Sequence, residues 1–114
     1  RLEDVTVQKR GAAFAFVMDT RPCPGALELV RDSDMAVIES TYLECHKDLA
    51  RDHKHLTAKE AATIAKEGGV RGKLVLTHFS QRYGSTRPFV EEASTIFPDV
   101  VAVRDLDRVP LPRP

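Results

Sequence analysis

The segment Leu74–Tyr83, with the sequence LVLTHFSQRY, contains residue types that can bind a metal or an anion and transfer a proton. Its first three apolar residues predict a short buried strand, and His78 follows almost directly after that strand. In α/β folds the chemically active groups collect at the carboxyl ends of strands, where an imidazole can bind a metal or transfer a proton. A strand followed by an ordinary polar turn is the other interpretation of this segment alone. The donors that could receive an anion are those of Ser80, Arg82 and Tyr83.

Other candidate groups lie at similar positions along the chain. Asp19 and Glu39 each follow a predicted strand, and His55 directly precedes the strongest predicted helix. At that place the helix dipole disfavours protonation of the imidazole, so His55 can act as a base or an acid. Each residue alone also fits a turn, a cap or a surface position. Together with His78 they are expected at one edge of the sheet, and carboxylate with imidazole is a ligand set that suits zinc and similar divalent metals.

Cysteine and histidine also occur together in a charged part of the chain. Cys45, His46, His53 and His55 could in principle bind zinc, but their spacing does not match the usual pattern of two close ligand pairs. His46 and His53 are therefore predicted to be exposed polar residues.

The composition is that of an ordinary globular protein. Of the 114 residues, 42% are hydrophobic and 30% are charged, and the length predicts a single domain over residues 1–114. The formal net charge is zero, so any contact with nucleic acid must be local. No apolar run approaches the roughly 20 residues that cross a bilayer, and the two cysteines form no disulfide framework. We expect no membrane association and a cytoplasmic location.

The remaining sequence predicts strands that alternate with helices, which indicates an α/β layer. The helix at 57–67 is the clearest, because Thr57 and Glu60 form a capping box. A weak strand at 5–7 is expected to form a hairpin with the next strand, and residues 43–52 are expected to be mobile or weakly helical. The predicted strands cover residues 13–18, 35–38, 73–76, 100–103 and an edge strand at 106–111, and the predicted helices cover 24–30, 57–67 and 87–97.

Four motifs in this chain resemble those of a known enzyme family. They are Asp19–Pro22, Ile38–Tyr42, His55–Ala62 and Thr77–Tyr83, and they resemble the carboxyl-terminal motifs of ribonuclease Z, the tRNA 3′-processing endonuclease of the metallo-β-lactamase fold. The resemblance covers about residues 5–109, with order and spacing preserved. It implies an α/β fold, the metallo-β-lactamase-like αββα sandwich, of which this chain supplies about the carboxyl-terminal αβ half.

The same resemblance implies a hydrolase with two zinc ions, or manganese as the alternative metal, that removes the 3′ trailer from precursor tRNA. By its matching position, Asp19 would bridge the two metal ions, and His78 would be a terminal ligand of one of them. His55 would be the catalytic histidine that helps to protonate the leaving 3′-oxygen, and Glu39 would orient it. The candidates for holding phosphate oxygens of the substrate, chosen for their donor groups, are Ser80, Arg82 and Tyr83.

The main zinc motif of the family, HxHxDH, is absent from this chain. Residues 53–55 offer only HxH, because neither the aspartate nor the last histidine follows. Two ligands cannot fill the roughly three to five protein positions expected at each zinc of a catalytic pair. A missing amino-terminal half is therefore the expected partner, with most metal ligands and the arm that grips tRNA in the family. This chain alone is expected to be inactive, and the resemblance also implies a homodimer.

Two other interpretations remain open. A metallohydrolase of the same fold could act on a small phosphodiester, sulfate ester or thioester. A non-catalytic α/β module, whose polar strand ends are structural, could serve in assembly. Metal content and cleavage of precursor tRNA would distinguish both from an endoribonuclease.

Overall fold

A sheet of parallel strands forms the centre of the structure. The computed structural model describes residues 11–18 and 22–112. Within them the strands are β1 (Phe14–Val17), β2 (Met35–Glu39), β3 (Lys73–Thr77) and β4 (Val100–Ala102), in the spatial order β1-β2-β3-β4. Each strand is parallel to its neighbour. All the strands therefore point their carboxyl ends toward the same edge of the sheet.

Helices connect the strands and pack together on one face of the sheet. They are α1 (Pro24–Val30), α2 (Lys47–His53), α3 (Ala58–Gly68) and α4 (Arg87–Ser94), and a 3₁₀ turn precedes α2. The central helix α3 contacts α1 on one side and α4 on the other. Apolar side chains from these helices and from alternate strand positions form one buried core. The strand residues on this face form two rows, Ala15, Ala36, Leu74 and Val100, and then Val17, Ile38, Leu76 and Ala102.

The central helix α3 begins and ends as its sequence predicts. The Thr57 side chain accepts a hydrogen bond from the Glu60 amide at 3.1 Å, and the Glu60 carboxylate accepts one from the Thr57 amide at 2.9 Å. Gly69 follows the helix with φ of 80°, a left-handed conformation that glycine adopts without strain. A Cβ on Gly68 would overlap Val30 Cγ2, so this glycine permits the close packing of α3 on α1. These contacts place the residues just before α3 at a fixed position.

Some predicted elements differ from the structure. The segment predicted to be mobile or weakly helical forms the 3₁₀ turn and α2, with Ala50 buried against the rest of the molecule. Helix α4 ends at Ser94 rather than at residue 97. The predicted edge strand at 106–111 is wrong, because this segment is irregular and Leu106 is 99% exposed with φ of 71°. The predicted hairpin strand at residues 5–7 lies outside the described residues.

The second face of the sheet carries apolar side chains that no described helix covers. Phe14 and Phe16 in β1 are each 54% exposed, and Val37 and Val101 on the same face are partly exposed. Among the residues that the structure describes, no helix is both long enough and apolar enough to cross a membrane.

Candidate active site

Three predicted site residues meet at the carboxyl edge of the sheet. Glu39 is the last residue of β2, and His78 directly follows β3. His55 comes from the connection between α2 and α3, which runs beside the chain that leaves β2. The Thr41 amide donates to the Leu56 carbonyl at 3.1 Å and thereby fixes this connection to the end of β2. The predicted convergence of a carboxylate with two imidazoles is therefore present.

Glu39 and His55 form a carboxylate–histidine pair. The Glu39 side chain is fully buried, and its Oε2 lies 2.9 Å from His55 Nδ1. An ionised carboxylate can only accept, so Nδ1 of His55 carries the hydrogen that joins them. The Nε2 atom of His55 is then the ring nitrogen that can exchange a proton with another group. This contact is the one expected if Glu39 orients His55, although the catalytic roles of both remain predictions.

His78 occupies a strained backbone position. Its φ is 62°, in the left-handed region that non-glycine residues seldom adopt. Such a conformation costs on the order of 1–3 kcal/mol and persists only when the surroundings impose it. The loop is held because the Ser80 amide donates to the Thr41 carbonyl at 2.9 Å. The His78 and His55 rings lie with their centroids 5.4 Å apart.

The residues at this edge fit a divalent metal ion. One donor atom each from Glu39, His55 and His78 can be chosen so that all lie within 4.8 Å of one another. Nitrogen and oxygen donors in such proximity are the ligand types that zinc and related ions use. Among the described residues, no other group of His, Cys, Asp or Glu has this arrangement.

Asp19, the predicted bridging ligand, lies outside the described residues. Strand β1 ends at Val17, which is paired with Ile38, so the chain leaves β1 at the same sheet edge as Glu39. The metal-binding role of Asp19 remains a prediction.

The predicted phosphate-binding residues have different surroundings. The Tyr83 hydroxyl accepts from the Leu43 amide at 3.0 Å and lies 2.6 Å from His46 Nδ1, and its ring packs edge-on against Phe89. Burial raises the pKa of Tyr83, because the phenolate would lose solvation. Tyr83 therefore fastens its loop to the chain before α2. Arg82 is exposed, and the phosphate-binding roles of Ser80, Arg82 and Tyr83 remain predictions.

Sequence reasoning missed two residues with contacts near the site. Thr41 lies between Glu39 and His78, with its hydroxyl within hydrogen-bond distance of both side chains. It belongs to the motif Ile38–Tyr42, but only the fold shows which groups it reaches. His46, predicted as an exposed polar residue, is half-buried and contacts Tyr83.

A groove of about 960 Å³ opens beside His55 between α1, α2 and α3. Its lining includes three exposed cations that form no ion pair with the described residues, and three glutamates of which two are hydrogen-bonded to Thr57. The cations are Lys47, Arg51 and Lys59, and the acids are Glu44, Glu60 and Glu67.

Comparison with known proteins identifies relatives over nearly the whole chain. No family model matches. The chain is 50% identical to ribonuclease Z of Streptomyces coelicolor over 114 residues, which is 98% of this chain and 38% of that protein. It is 48% identical to ribonuclease Z of Protochlamydia amoebophila over 96% of this chain and 35% of that protein. Over nearly all of its length the chain is similar to members of the ribonuclease Z family. It spans between a third and two fifths of the length of these relatives and corresponds to their carboxyl-terminal portion.

Solved structures with similar folds agree with this family. The metallo-β-lactamase fold protein YhfI from Bacillus subtilis matches with a TM-score of 0.71 over 80% of this chain and 36% of its own, and at 24% identity this likeness concerns the fold alone. The short form of human tRNase Z matches with a TM-score of 0.59 and 29% identity over 84% of this chain and 33% of its own. The predicted ribonuclease Z resemblance and metallo-β-lactamase fold are confirmed.

Proposed function

We propose that this chain is part of a metal-dependent endoribonuclease that removes the 3′ trailer from precursor tRNA. The observation that carries the proposal is the meeting of Glu39, His55 and His78 at one sheet edge. The chain that holds this cluster matches proteins named ribonuclease Z over nearly all of its length. The fold also supports dependence on a metal, because the similar structures include a metallo-β-lactamase fold protein.

His55 is proposed as the residue that protonates the leaving 3′-oxygen. Its Nδ1 is occupied by Glu39, so Nε2 is the atom that exchanges a proton with the substrate. The fully buried carboxylate of Glu39 fixes the orientation of the ring and supports positive charge on it during the transfer. A fixed orientation matters because proton transfer requires hydrogen-bond distance to the reacting oxygen.

His78 and Asp19 are proposed as ligands of a pair of zinc ions, with manganese as the alternative. Divalent ions at such a site supply Lewis-acid activation and charge stabilisation for an in-line displacement at phosphorus. A catalytic zinc uses about three protein ligands, so further ligands are expected from an amino-terminal half of the same fold.

Precursor tRNA is proposed as the substrate. Arg82 and Ser80 lie in the loop after His78 and offer donors for phosphate oxygens, and the exposed cations of the groove beside His55 offer further charge. A homodimer and a cytoplasmic location are proposed with this function. Cys23 and Cys45 are exposed and are not joined by a disulfide, which suits a reducing compartment.

The test compares His55→Ala with His53→Ala in the full-length protein, on a 3′-extended precursor tRNA and on a small aryl phosphodiester. We expect His55→Ala to retain its metal and to lower kcat by about 10²- to 10⁴-fold, since it removes the proton donor. His53 is exposed at the end of α2, so its replacement is expected to leave kcat unchanged.

Three outcomes would contradict parts of the proposal. Hydrolysis of the small ester without cleavage of precursor tRNA would reject the substrate. Loss of metal from His55→Ala would make His55 a ligand rather than a proton donor. A full-length protein without bound metal, whose turnover is unaffected by His78→Ala, would reject the enzymatic function.

A further inference from the structure

The hydroxyl of Thr41 bridges Glu39 and His78. Its Oγ1 lies 2.7 Å from Glu39 Oε2 and 3.0 Å from His78 Nδ1. The direct distance from Glu39 Oε2 to His78 Nδ1 is 3.9 Å, which is too long for a hydrogen bond. Thr41 is 6% exposed, so few solvent molecules can take over either contact. The carboxylate therefore acts on His78 through the hydroxyl.

The number of available hydrogens determines the direction of both bonds. An ionised carboxylate has no hydrogen to give, so the Thr41 hydroxyl donates to Glu39. A hydroxyl has one hydrogen, which this bond uses, and only a lone pair of Oγ1 remains for His78. The contact at 3.0 Å is then a hydrogen bond only if Nδ1 of His78 carries the hydrogen.

Glu39 also determines which nitrogen of His55 is protonated, but it does so by a direct hydrogen bond. Its Oε2 accepts directly from His55 Nδ1 at 2.9 Å. One buried carboxylate oxygen therefore accounts for the protonation of Nδ1 in both rings, directly for His55 and through Thr41 for His78. In each neutral ring Nε2 is then the atom without a hydrogen, and a metal binds only to such a nitrogen.

We propose that Thr41 is a positioning residue that holds His78 in the Nδ1-protonated tautomer and thereby presents its Nε2 as a metal ligand. The consequence for metal affinity rests on the ligand role of His78 in the proposed function, whereas the tautomer itself does not. Thr41 also positions the backbone of this loop, because its carbonyl accepts from the Ser80 amide. Outer contacts of this kind orient ligating histidines and typically contribute about 10- to 100-fold in metal affinity.

Thr41→Val and Thr41→Ser distinguish the effect of the Thr41 hydroxyl from that of the rest of its side chain. Valine preserves the shape and the backbone bonds of residue 41 but removes the bridge, whereas serine retains the hydroxyl. Thr63→Val is the matched control, because the Thr63 hydroxyl donates to the Lys59 carbonyl on α3 and bonds to none of Glu39, His55 and His78. Thermal unfolding of each full-length variant shows whether it is folded.

The first measurement is the tautomer of His78 in the metal-free full-length protein. Long-range ¹H–¹⁵N correlation spectra with labelled histidine are recorded at a pH where the ring is neutral. We expect Nδ1 to be protonated in the wild type, in Thr41→Ser and in Thr63→Val, and we expect Thr41→Val to show a mixture or the other tautomer. A wild type protonated at Nε2, or a folded Thr41→Val with an unchanged tautomer, would overturn the proposal. The wild-type spectrum decides the matter even if Thr41→Val does not fold.

The second measurement is zinc affinity, determined by competition with a chromophoric chelator. Thr41→Val is expected to bind zinc about 10- to 100-fold more weakly than the wild type. The reason is that His78 protonated at Nε2 has to be converted to the Nδ1-protonated tautomer before zinc binds. Thr41→Ser and Thr63→Val are expected to bind as the wild type does. Equal zinc affinity in the wild type and Thr41→Val would show that the tautomer of His78 does not affect metal binding. Failure to cleave precursor tRNA alongside the expected tautomers would reject the proposed substrate and support the role of Thr41.

Discussion

At the scale of single residues, the candidate site depends on a carboxylate that water cannot reach. Glu39 is fully buried, and a buried charge is tolerated only when hydrogen bonds or opposite charge compensate it. His55 and Thr41 both donate to its Oε2. Glu39 therefore organises the side chains around it, and the same contacts leave the Nε2 atoms of two histidines available for chemistry.

Replacement of Glu39 by glutamine tests the importance of its charge. The amide has nearly the same shape and retains one acceptor oxygen, but it cannot support positive charge on His55 during proton transfer. We expect Glu39→Gln in the full-length protein to lower single-turnover cleavage of precursor tRNA by about 10²-fold or more. Glu91→Gln, which alters an exposed partner of Arg87, is the control and is expected to cleave at the wild-type rate. An unchanged rate in Glu39→Gln would show that the charge of Glu39 has no role in the reaction.

At the scale of elements, the loop after β3 is held to the segment before α2. Ser80 and Tyr83 bond to the chain at Thr41 and Leu43, and the Tyr83 ring packs against Phe89 of α4. These contacts impose the left-handed backbone of His78, because an isolated loop would relax to a lower-energy conformation. The position of a candidate metal ligand is thus set by three separate elements.

Tyr83→Phe tests this attachment, and its effect on the unfolding free energy is expected to depend on pH. Loss of the hydroxyl leaves the Leu43 amide without its acceptor, and we expect about 1 kcal/mol lower unfolding free energy at neutral pH. Burial raises the pKa of Tyr83 above its ordinary value of 10.0. Since a raised pKa means that the folded state holds the proton more tightly, this group contributes stability at neutral pH that is lost as the pH rises through the folded pKa.

The measurement is denaturant unfolding of the full-length protein at neutral and alkaline pH. The difference between wild type and Tyr83→Phe is expected to shrink above a pH of about 10, because phenylalanine has no group to ionise. Tyr42→Phe is the control at neutral pH, since the Tyr42 hydroxyl makes no hydrogen bond to the described residues. Parallel stability curves for wild type and Tyr83→Phe across the alkaline range would contradict the expectation.

At the scale of the whole molecule, the described helices cover one face of the sheet, and the other face is exposed mainly at β1, since Met35 and Val75 of the inner strands are buried there. The helices bury one set of strand side chains, whereas Phe14 and Phe16 on the other face are half exposed. The chain also spans little more than a third of its relatives' length. Cover for this face from another part of a longer protein is consistent with both facts, and the single domain predicted over residues 1–114 remains a prediction.

Phe16→Ala distinguishes a covered face from an open one. In the full-length protein we expect a loss of about 3–5 kcal/mol of unfolding free energy, which is typical when a buried phenylalanine is truncated. In the 114-residue chain the same change is expected to cost about 1–2 kcal/mol, since about half of the side chain is already exposed there. Leu29→Ala on the exposed side of α1 is the control, with a small effect in both proteins. An equally small effect of Phe16→Ala in the full-length protein would mean that this face stays open.

The sequence by itself determined the elements and the kind of chemistry. Short apolar runs, the capping box at Thr57 and glycines after α3 act locally, so strands β2 and β3 and helix α3 were predicted close to their observed limits. The pairing of acidic and imidazole groups at strand ends also followed from local pattern. The 3₁₀ turn and α2 do not follow from local pattern, because residues 43–53 have few apolar side chains and are stabilised by contacts with distant parts of the chain.

Only the tertiary structure decided how the site residues are connected. Glu39 and His78 are separated along the chain, and no local pattern shows that Thr41 lies between them at hydrogen-bond distance from both. The left-handed backbone at His78 and the attachment of Tyr83 to Leu43 likewise arise from packing between loops. The physical reason is that residue type specifies only whether a group can donate or accept a hydrogen bond. Which groups become partners depends on the parallel strands, because their carboxyl ends lie together at one edge of the sheet.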